Sequence, residues 1–105
     1  MTIYKAERPN REPTHPGELL RDIIDDSKIK VTELAEILKV SRSLLYHIMD
    51  KTKPITPDTA LKLGAWVGNT PTLWLNLQRN WDVWKAEQEL RPLLKEIKKV
   101  AIKVA

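Results

Sequence analysis

The residues best suited to chemistry lie in one short segment, 42–50, which reads RSLLYHIMD. Ser43 and His47 are four residues apart, so they face the same side of a helix and could form a nucleophile–base pair. A hydrolase would also need an acid that orients the histidine and an oxyanion hole, and no obvious loop of the sequence supplies either one. We therefore interpret the chain as a binding protein and not as an enzyme.

The same side chains suit the recognition of base edges in DNA. Arginine pairs bidentately with guanine, and serine and histidine serve as hydrogen-bond donors or acceptors. The basic residues that follow, Lys51 and Lys53, suit phosphate oxygens, which are bound without regard to base sequence. The predicted DNA-binding residues are Arg42, Ser43, Tyr46, His47, Lys51 and Lys53. The alternative is an ordinary solvated polar face.

Metal and cofactor sites find little support in the sequence. The chain has two histidines and no cysteine, and the adjacent acids Asp25 and Asp26 do not flank a histidine. We interpret His15, which precedes Pro16, as a helix-start residue and not as a metal ligand. No cofactor is predicted.

Two short helices joined by a tight turn are predicted to position the 42–50 segment. Apolar residues recur at helical spacing on both sides of the turn, at Leu34, Leu38, Val40, Leu45 and Ile48. Ser41 is a good N-cap for the second helix. The turn contains no glycine, so Lys39 is expected to adopt the left-handed conformation at a small cost. This arrangement is typical of a helix-turn-helix, whose second helix enters the major groove of DNA.

Further helices are predicted around this pair, and the sequence shows no strand pattern longer than three residues. A proline at the first helical position marks three starts, at Pro16, Pro57 and Pro71. Gly68 suits the end of the fourth helix. We therefore predict an all-α fold, preceded by a loosely ordered N-terminal arm over residues 1–14. A short edge strand or a partner contact is the alternative for this arm.

An aromatic stripe distinguishes the fifth predicted helix. Trp74, Leu77, Trp81 and Trp84 follow a seam-like rhythm beyond the minimal domain, where little chain remains to cover them. They are predicted to form a homodimer interface. Packing back on the domain and stacking of single-stranded bases are the alternatives. Pro92 interrupts the pattern, and residues 91–105 are predicted to form a basic amphipathic C-terminal helix or tail.

Composition limits the class of protein. A chain of 105 residues is one small domain, and its net charge of +4 with an isoelectric point near 9.4 favours a polyanionic partner. The absence of cysteine suits a reducing cytoplasm. No apolar run approaches the ~20 residues that a membrane span needs, and the N-terminus lacks an apolar leader segment. We expect a cytoplasmic protein with no membrane partner.

Residues 15–90 resemble the HigA antitoxins of the lambda-repressor-like helix-turn-helix family. The matching segments are 15–18, 40–43, 55–57 with 60–61, 68–71 and 74–78, followed by Trp84, Ala86 and Glu87. A helix-turn-helix alone is shared by a very large class of regulators, so the segments that flank it make the resemblance specific. The family usually has glycine where this chain has Lys39 and Lys51, and serine or threonine where it has Lys30.

The resemblance implies a domain of five helices that dimerises and binds an inverted repeat of operator DNA in its own promoter. A dimer would hold its two recognition helices about 34 Å apart, one turn of DNA. The resemblance also implies neutralisation of a cognate toxin, typically a RelE-like mRNA endonuclease. By position, Arg42, Ser43, Tyr46 and His47 fall where the family contacts DNA.

Two other functions are compatible with the same residues. One is a transcriptional repressor of phage or plasmid type that has no toxin partner. The other is a protein-interaction module whose helix-turn-helix no longer binds DNA. Such a module would bind a protein with weak salt dependence and would not bind duplex DNA.

Overall fold

The computed structural model describes residues 11–101, and this part of the chain forms five α-helices and no strand. The helices are α1 (Pro16–Ser27), α2 (Val31–Leu38), α3 (Arg42–Met49), α4 (Pro57–Val67) and α5 (Pro71–Glu96). The predicted all-α, five-helix fold is thereby confirmed. Most of the predicted arm, 1–14, lies outside the described residues. Within residues 11–101, no helix combines the length and apolar character that a membrane span requires.

Side chains near the helix starts explain where α2, α3 and α4 begin. Ser41 Oγ accepts a hydrogen bond from the Leu44 amide at 3.0 Å, and the Thr56 hydroxyl caps α4 in the same way. The predicted caps of α3 and α4 are therefore confirmed. At the start of α2, the Glu33 carboxylate accepts a hydrogen bond from the backbone amide of Lys30 at 3.2 Å. A residue within the helix thus compensates for a lysine at the cap position.

Three lysines adopt the left-handed conformation where helices end. Lys28, Lys39 and Lys51 have φ angles of 58°, 59° and 68°, and Gly68 has 87°. The prediction for Lys39 is confirmed. Lys51 adopts the same left-handed conformation at the second position where the family that the sequence resembles usually has glycine. Each such lysine costs about 1–2 kcal/mol, so surrounding contacts must hold it. In the turn between α2 and α3, the Val40 amide donates a hydrogen bond to the Ala35 carbonyl of α2 at 3.0 Å.

A single core holds the helix-turn-helix in place. Every helix contributes a fully buried side chain to it: Leu20, Leu34, Leu45, Leu63 and Trp74. The backbones of α1 and α3 approach so closely that a Cβ added to Gly17 would overlap the backbone oxygen of Ile48. A residue with a side chain does not fit there. Gly17 therefore sets the position of α3 on the domain.

Helix α5 continues through Pro92 to Glu96, which corrects the prediction that this proline interrupts the helix. Proline removes one backbone hydrogen bond and crowds the carbonyl four residues before it, that of Gln88. Residues 88–96 are exposed, so water can hydrogen-bond this carbonyl and the helix goes on. Residues 98–101 are not helical and 102–105 lie outside the described residues. The described part of the chain therefore contains no separate C-terminal helix.

Candidate nucleic-acid interface

Helix α3 has one apolar and one polar face. The inward face is buried in the core and consists of Leu45, Ile48 and Met49. The outward face consists of exposed Arg42, Ser43 and Tyr46 and half-buried His47. The structure therefore brings the predicted base-contacting residues together on one side of a helix that the core holds rigidly.

The loop after α3 folds back onto His47. Nδ1 of His47 lies 2.9 Å from the Thr52 hydroxyl, which in turn donates to Asp50 Oδ1 at 2.5 Å. The amides of Thr52 and Lys53 donate to the His47 carbonyl at 2.9 and 3.1 Å. The hydrogen bond from the Thr52 hydroxyl lowers the pKa of Asp50, so its carboxylate is ionised at neutral pH. These contacts fix the orientation of the His47 ring.

The two lysines predicted to bind phosphate differ in their surroundings. Lys51 forms ion pairs of 3.2 Å with both Glu12 and Glu18, and its ammonium lies 4.9 Å from the ring centre of Trp81. Hydrogen bonds to the two carboxylates raise the pKa of Lys51. The Lys51 ammonium is therefore paired within the domain, whereas the sequence predicted a lysine available to bind phosphate. Lys53 is exposed on the same loop.

His15 belongs to the same cluster as Lys51, a cluster that the sequence did not predict. His15 is buried, and its Nδ1 accepts a hydrogen bond from the Gly17 amide at 2.8 Å, which confirms its predicted role at the start of α1. Its ring meets that of Trp81 edge-on, with 4.9 Å between the ring centres. Burial and, after it, the Lys51 ammonium lower the pKa of His15. The members of this cluster are far apart in the sequence, so no local pattern signals it.

The aromatic stripe of α5 faces the domain itself. Trp74 is fully buried, and its indole Nε1 donates to Asn69 Oδ1 at 3.1 Å. It has no surface left for a partner, so the prediction of Trp74 as a dimer-interface residue is wrong. Leu77, Trp81 and Trp84 are half-buried, and their place in a dimer interface stays a prediction.

A second apolar stripe runs along the opposite side of α5. Its exposed apolar residues are Val83, Leu90, Leu93 and Leu94, separated by three, four or seven residues as on one helix face, and Ile97, which directly follows the helix. We call these five residues the outer stripe of α5. The outer stripe has residues on both sides of Pro92, because α5 continues through this proline.

The outward face of α3 offers hydrogen bonding and charge. Within residues 11–101, no group of three or more histidine, aspartate and glutamate side chains is arranged to hold a metal ion. A guanidinium, a hydroxyl, a phenol and an imidazole together supply both donors and acceptors. Such a set suits base edges and phosphate oxygens.

Comparison with known proteins gives relatives over most of the chain, although no protein-family model matches it. The chain is 37% identical over 82 residues to an HTH-type transcriptional regulator of Haemophilus influenzae, with 77% of each protein covered. It is 30% identical over 92 residues to antitoxin HigA-1 of Vibrio cholerae, with 87% of each covered. The Pseudomonas aeruginosa antitoxin HigA, solved with the higBA promoter, superimposes with a TM-score of 0.80 at 28% identity, covering 87% of this chain and 100% of that one.

These similarities extend well beyond the helix-turn-helix, which is formed by α2 and α3. They include the flanking helices, where the segments that make the resemblance specific are located. The chain therefore belongs to the HigA-type antitoxins of the helix-turn-helix family of DNA-binding proteins.

Proposed function

We propose that this protein is the antitoxin of a type II toxin–antitoxin system and acts in the cytoplasm by binding, not by catalysis. It binds operator DNA as a homodimer, represses its own operon and neutralises a RelE-like mRNA endonuclease. The observation that carries the proposal is the polar outward face of α3, held on the core of a HigA-type chain. The relative solved with the higBA promoter supports DNA as the ligand.

The first turn of α3 supplies the proposed base contacts that reach deepest into the major groove. Arg42 and Ser43 lie in this turn, and Tyr46 and His47 follow one turn later on the same side. The Arg42 guanidinium suits guanine O6 and N7, a contact that discriminates between bases by about 1–3 kcal/mol. Arg42 is therefore the proposed principal determinant of operator sequence.

The loop after α3 supplies the proposed phosphate contacts. Lys53 is exposed and follows directly on the loop that folds against His47. Lys51 would have to leave Glu12 and Glu18 before it could bind a phosphate. We therefore expect Lys53 to contribute more to the salt-dependent part of the affinity than Lys51 does.

The proposed homodimer forms along α5. The residues of the outer stripe are apolar and exposed, and exposed apolar surface gathered on one face of a small domain marks an interface. A second copy of α5 would cover the outer stripe of its partner through a two-fold axis. Leu77, Trp81 and Trp84, the remaining residues of the predicted interface, would border this contact. Two-fold symmetry requires an inverted repeat whose half-sites lie about 34 Å apart.

Footprinting on the DNA upstream of the gene tests the operator-binding part of the proposal. The protein is expected to protect an inverted repeat, with an affinity that falls steeply as salt is added. A matched control is the same DNA with one half-site scrambled, which should bind far more weakly. Equal binding to both DNAs would contradict sequence-specific recognition. No duplex binding at all would favour the protein-interaction module.

Co-expression with the product of the adjacent reading frame tests the toxin part. The proposal expects the two proteins to co-purify and the antitoxin to relieve growth arrest and mRNA cleavage caused by the partner. An inert neighbour that does not bind would contradict it. With operator binding intact, that result would favour the second candidate, a transcriptional repressor without a toxin partner.

A further inference from the structure

We propose that His47 presents an unprotonated ring nitrogen, Nε2, to the DNA and so selects a base that carries an amino group in the major groove. The selected base would be adenine or cytosine. This inference rests on the proposed operator binding and adds to it the chemical identity of one recognised base. Thr52 and Asp50 act as positioning residues behind His47.

The position of one proton follows from the groups around Thr52. Its hydroxyl has a single hydrogen and lies 2.5 Å from Asp50 Oδ1, 3.2 Å from the His47 carbonyl oxygen and 2.9 Å from His47 Nδ1. The ionised carboxylate and the carbonyl are acceptors only. A hydroxyl oxygen and a carboxylate oxygen only 2.5 Å apart need a hydrogen between them, so the hydroxyl hydrogen points to Asp50 Oδ1. The contact with His47 must then be a hydrogen bond donated by Nδ1 to the hydroxyl.

This assignment determines the other ring nitrogen. In a neutral imidazole only one nitrogen carries a hydrogen, so a protonated Nδ1 leaves Nε2 with a lone pair. Within residues 11–101, Nε2 of His47 makes no hydrogen bond, and the side chain is 44% exposed. His47 thus offers one hydrogen-bond acceptor, Nε2, on the outward face of α3.

The positioning contacts are built into the backbone of the loop. The Thr52 amide donates to Asp50 Oδ1 at 3.1 Å and to the His47 carbonyl at 2.9 Å. Asp50 Oδ2 lies 3.9 Å from His47 Nδ1, on the same side of the ring. The negative charge therefore faces the nitrogen that carries the proton. This arrangement stabilises the assigned tautomer before any DNA is present.

The major groove distinguishes bases by their donors and acceptors. Adenine N6 and cytosine N4 are donors there, whereas guanine N7 and O6 and thymine O4 are acceptors. A lone pair on Nε2 bonds to the first two and repels the others. His47 lies on the same side of α3 as Ser43, one turn nearer the C-terminus. We therefore assign it a base next to those contacted by the first turn of the helix.

Operators with single base analogues test this assignment on the full-length protein. At each half-site position, adenine is replaced by a purine that lacks the 6-amino group, or cytosine by a pyrimidinone that lacks the 4-amino group. The wild-type protein should lose about tenfold in affinity at one position. His47→Ala should bind the natural and the altered operator equally. Thr52→Val should lose most of the discrimination, and Thr52→Ser, which keeps the hydroxyl, should retain it.

The tautomer can be measured without DNA by nitrogen NMR of the His47 ring. We expect a hydrogen on Nδ1 in the wild type and in Thr52→Ser, and a shift toward the other tautomer in Thr52→Val. A hydrogen on Nε2 in the wild type would overturn the inference. Specific operator binding that is unaffected by the loss of any amino group would also overturn the inference. That result would leave the proposed function intact. A wild-type protein that binds no operator would overturn both.

Discussion

His15 is the residue at which three parts of the domain meet. Its Nδ1 accepts a hydrogen bond from the Gly17 amide, its ring packs on Trp81, and the Lys51 ammonium lies close by. Burial and this cation lower the pKa of His15, and three nearby carboxylates oppose them more weakly. A proton on Nδ1 would remove the acceptor that caps α1 and add a charge to a buried site. The folded domain therefore holds a neutral imidazole.

Acid should destabilise the fold through this residue. The unfolded chain binds the His15 proton more tightly than the folded state does, so the free energy of unfolding falls as pH drops below about 6.5 and levels off below the lowered pKa. Urea unfolding at a series of pH values between about 5 and 8 measures this slope. His15→Asn keeps a side-chain acceptor for the cap but has no group that titrates in this range. The slope of the unfolding free energy against pH should therefore be flatter in this variant. Identical slopes in the two proteins would contradict this account.

Residues whose conformation depends on their near neighbours were predicted from the sequence. Ser41 caps α3 and Lys39 is left-handed because the chain within one turn decides both. The pairing of Lys51 with Glu18 joins segments that are distant in sequence, so no local pattern reveals it. The hydrogen bonds of Thr52 are local, but a hydroxyl near a histidine is too common to be read as a signal.

At the scale of helices, the contact between α1 and α3 determines how the DNA-facing helix is presented. Gly17 lies in the first turn of α1, directly against the backbone of Ile48. Because α3 also packs its inward face on the core, a change at this contact would move the whole outward face.

Gly17→Ala should therefore destabilise the domain by about 2–4 kcal/mol, since the added methyl would overlap backbone that has no room to yield. The matched control is Gly68→Ala, whose methyl meets nothing within 4 Å and costs only the left-handed conformation, about 1 kcal/mol. Chemical unfolding of both variants compares the two effects. A smaller loss for Gly17→Ala than for Gly68→Ala would show that the helices can separate at little cost.

Helix α5 carries two apolar faces with different roles. One face packs on the domain through Trp74, and the other is the outer stripe. The sequence predicted the helix and its aromatic residues, yet spacing alone could not tell which side meets the rest of the chain. That depends on where α4 and α5 cross, a tertiary feature. The interruption predicted at Pro92 was a second error, because a solvent-exposed helix can continue through a proline.

Leu90→Glu should convert the protein to a monomer while leaving it folded, because Leu90 is 45% exposed within one chain. In a dimer along α5 the new carboxylates would be buried at the contact. Light scattering gives the mass, and circular dichroism checks the fold. Gln88→Glu adds the same charge two residues away on another side of the helix, and it should remain dimeric. A dimeric Leu90→Glu would exclude the outer stripe as the interface.

At the scale of the whole molecule, the domain separates its two proposed binding surfaces. The polar face of α3 is held by the core of the domain, and the outer stripe lies on a helix of 26 residues, about 39 Å long. Dimerisation would therefore leave both α3 helices available to DNA. The basic net charge of +4 adds a long-range attraction to the duplex that does not depend on base sequence.

The most direct test of the central claim is the affinity of Arg42→Ala for the inverted repeat upstream of its own gene. Operator readout by α3 predicts a loss of about tenfold or more on the specific sequence, with little change on scrambled DNA. Lys95→Ala removes one positive charge from exposed α5 and should bind the operator as the wild type does. Unchanged specific affinity in a folded Arg42→Ala protein would contradict the assignment of α3 as the DNA-reading helix.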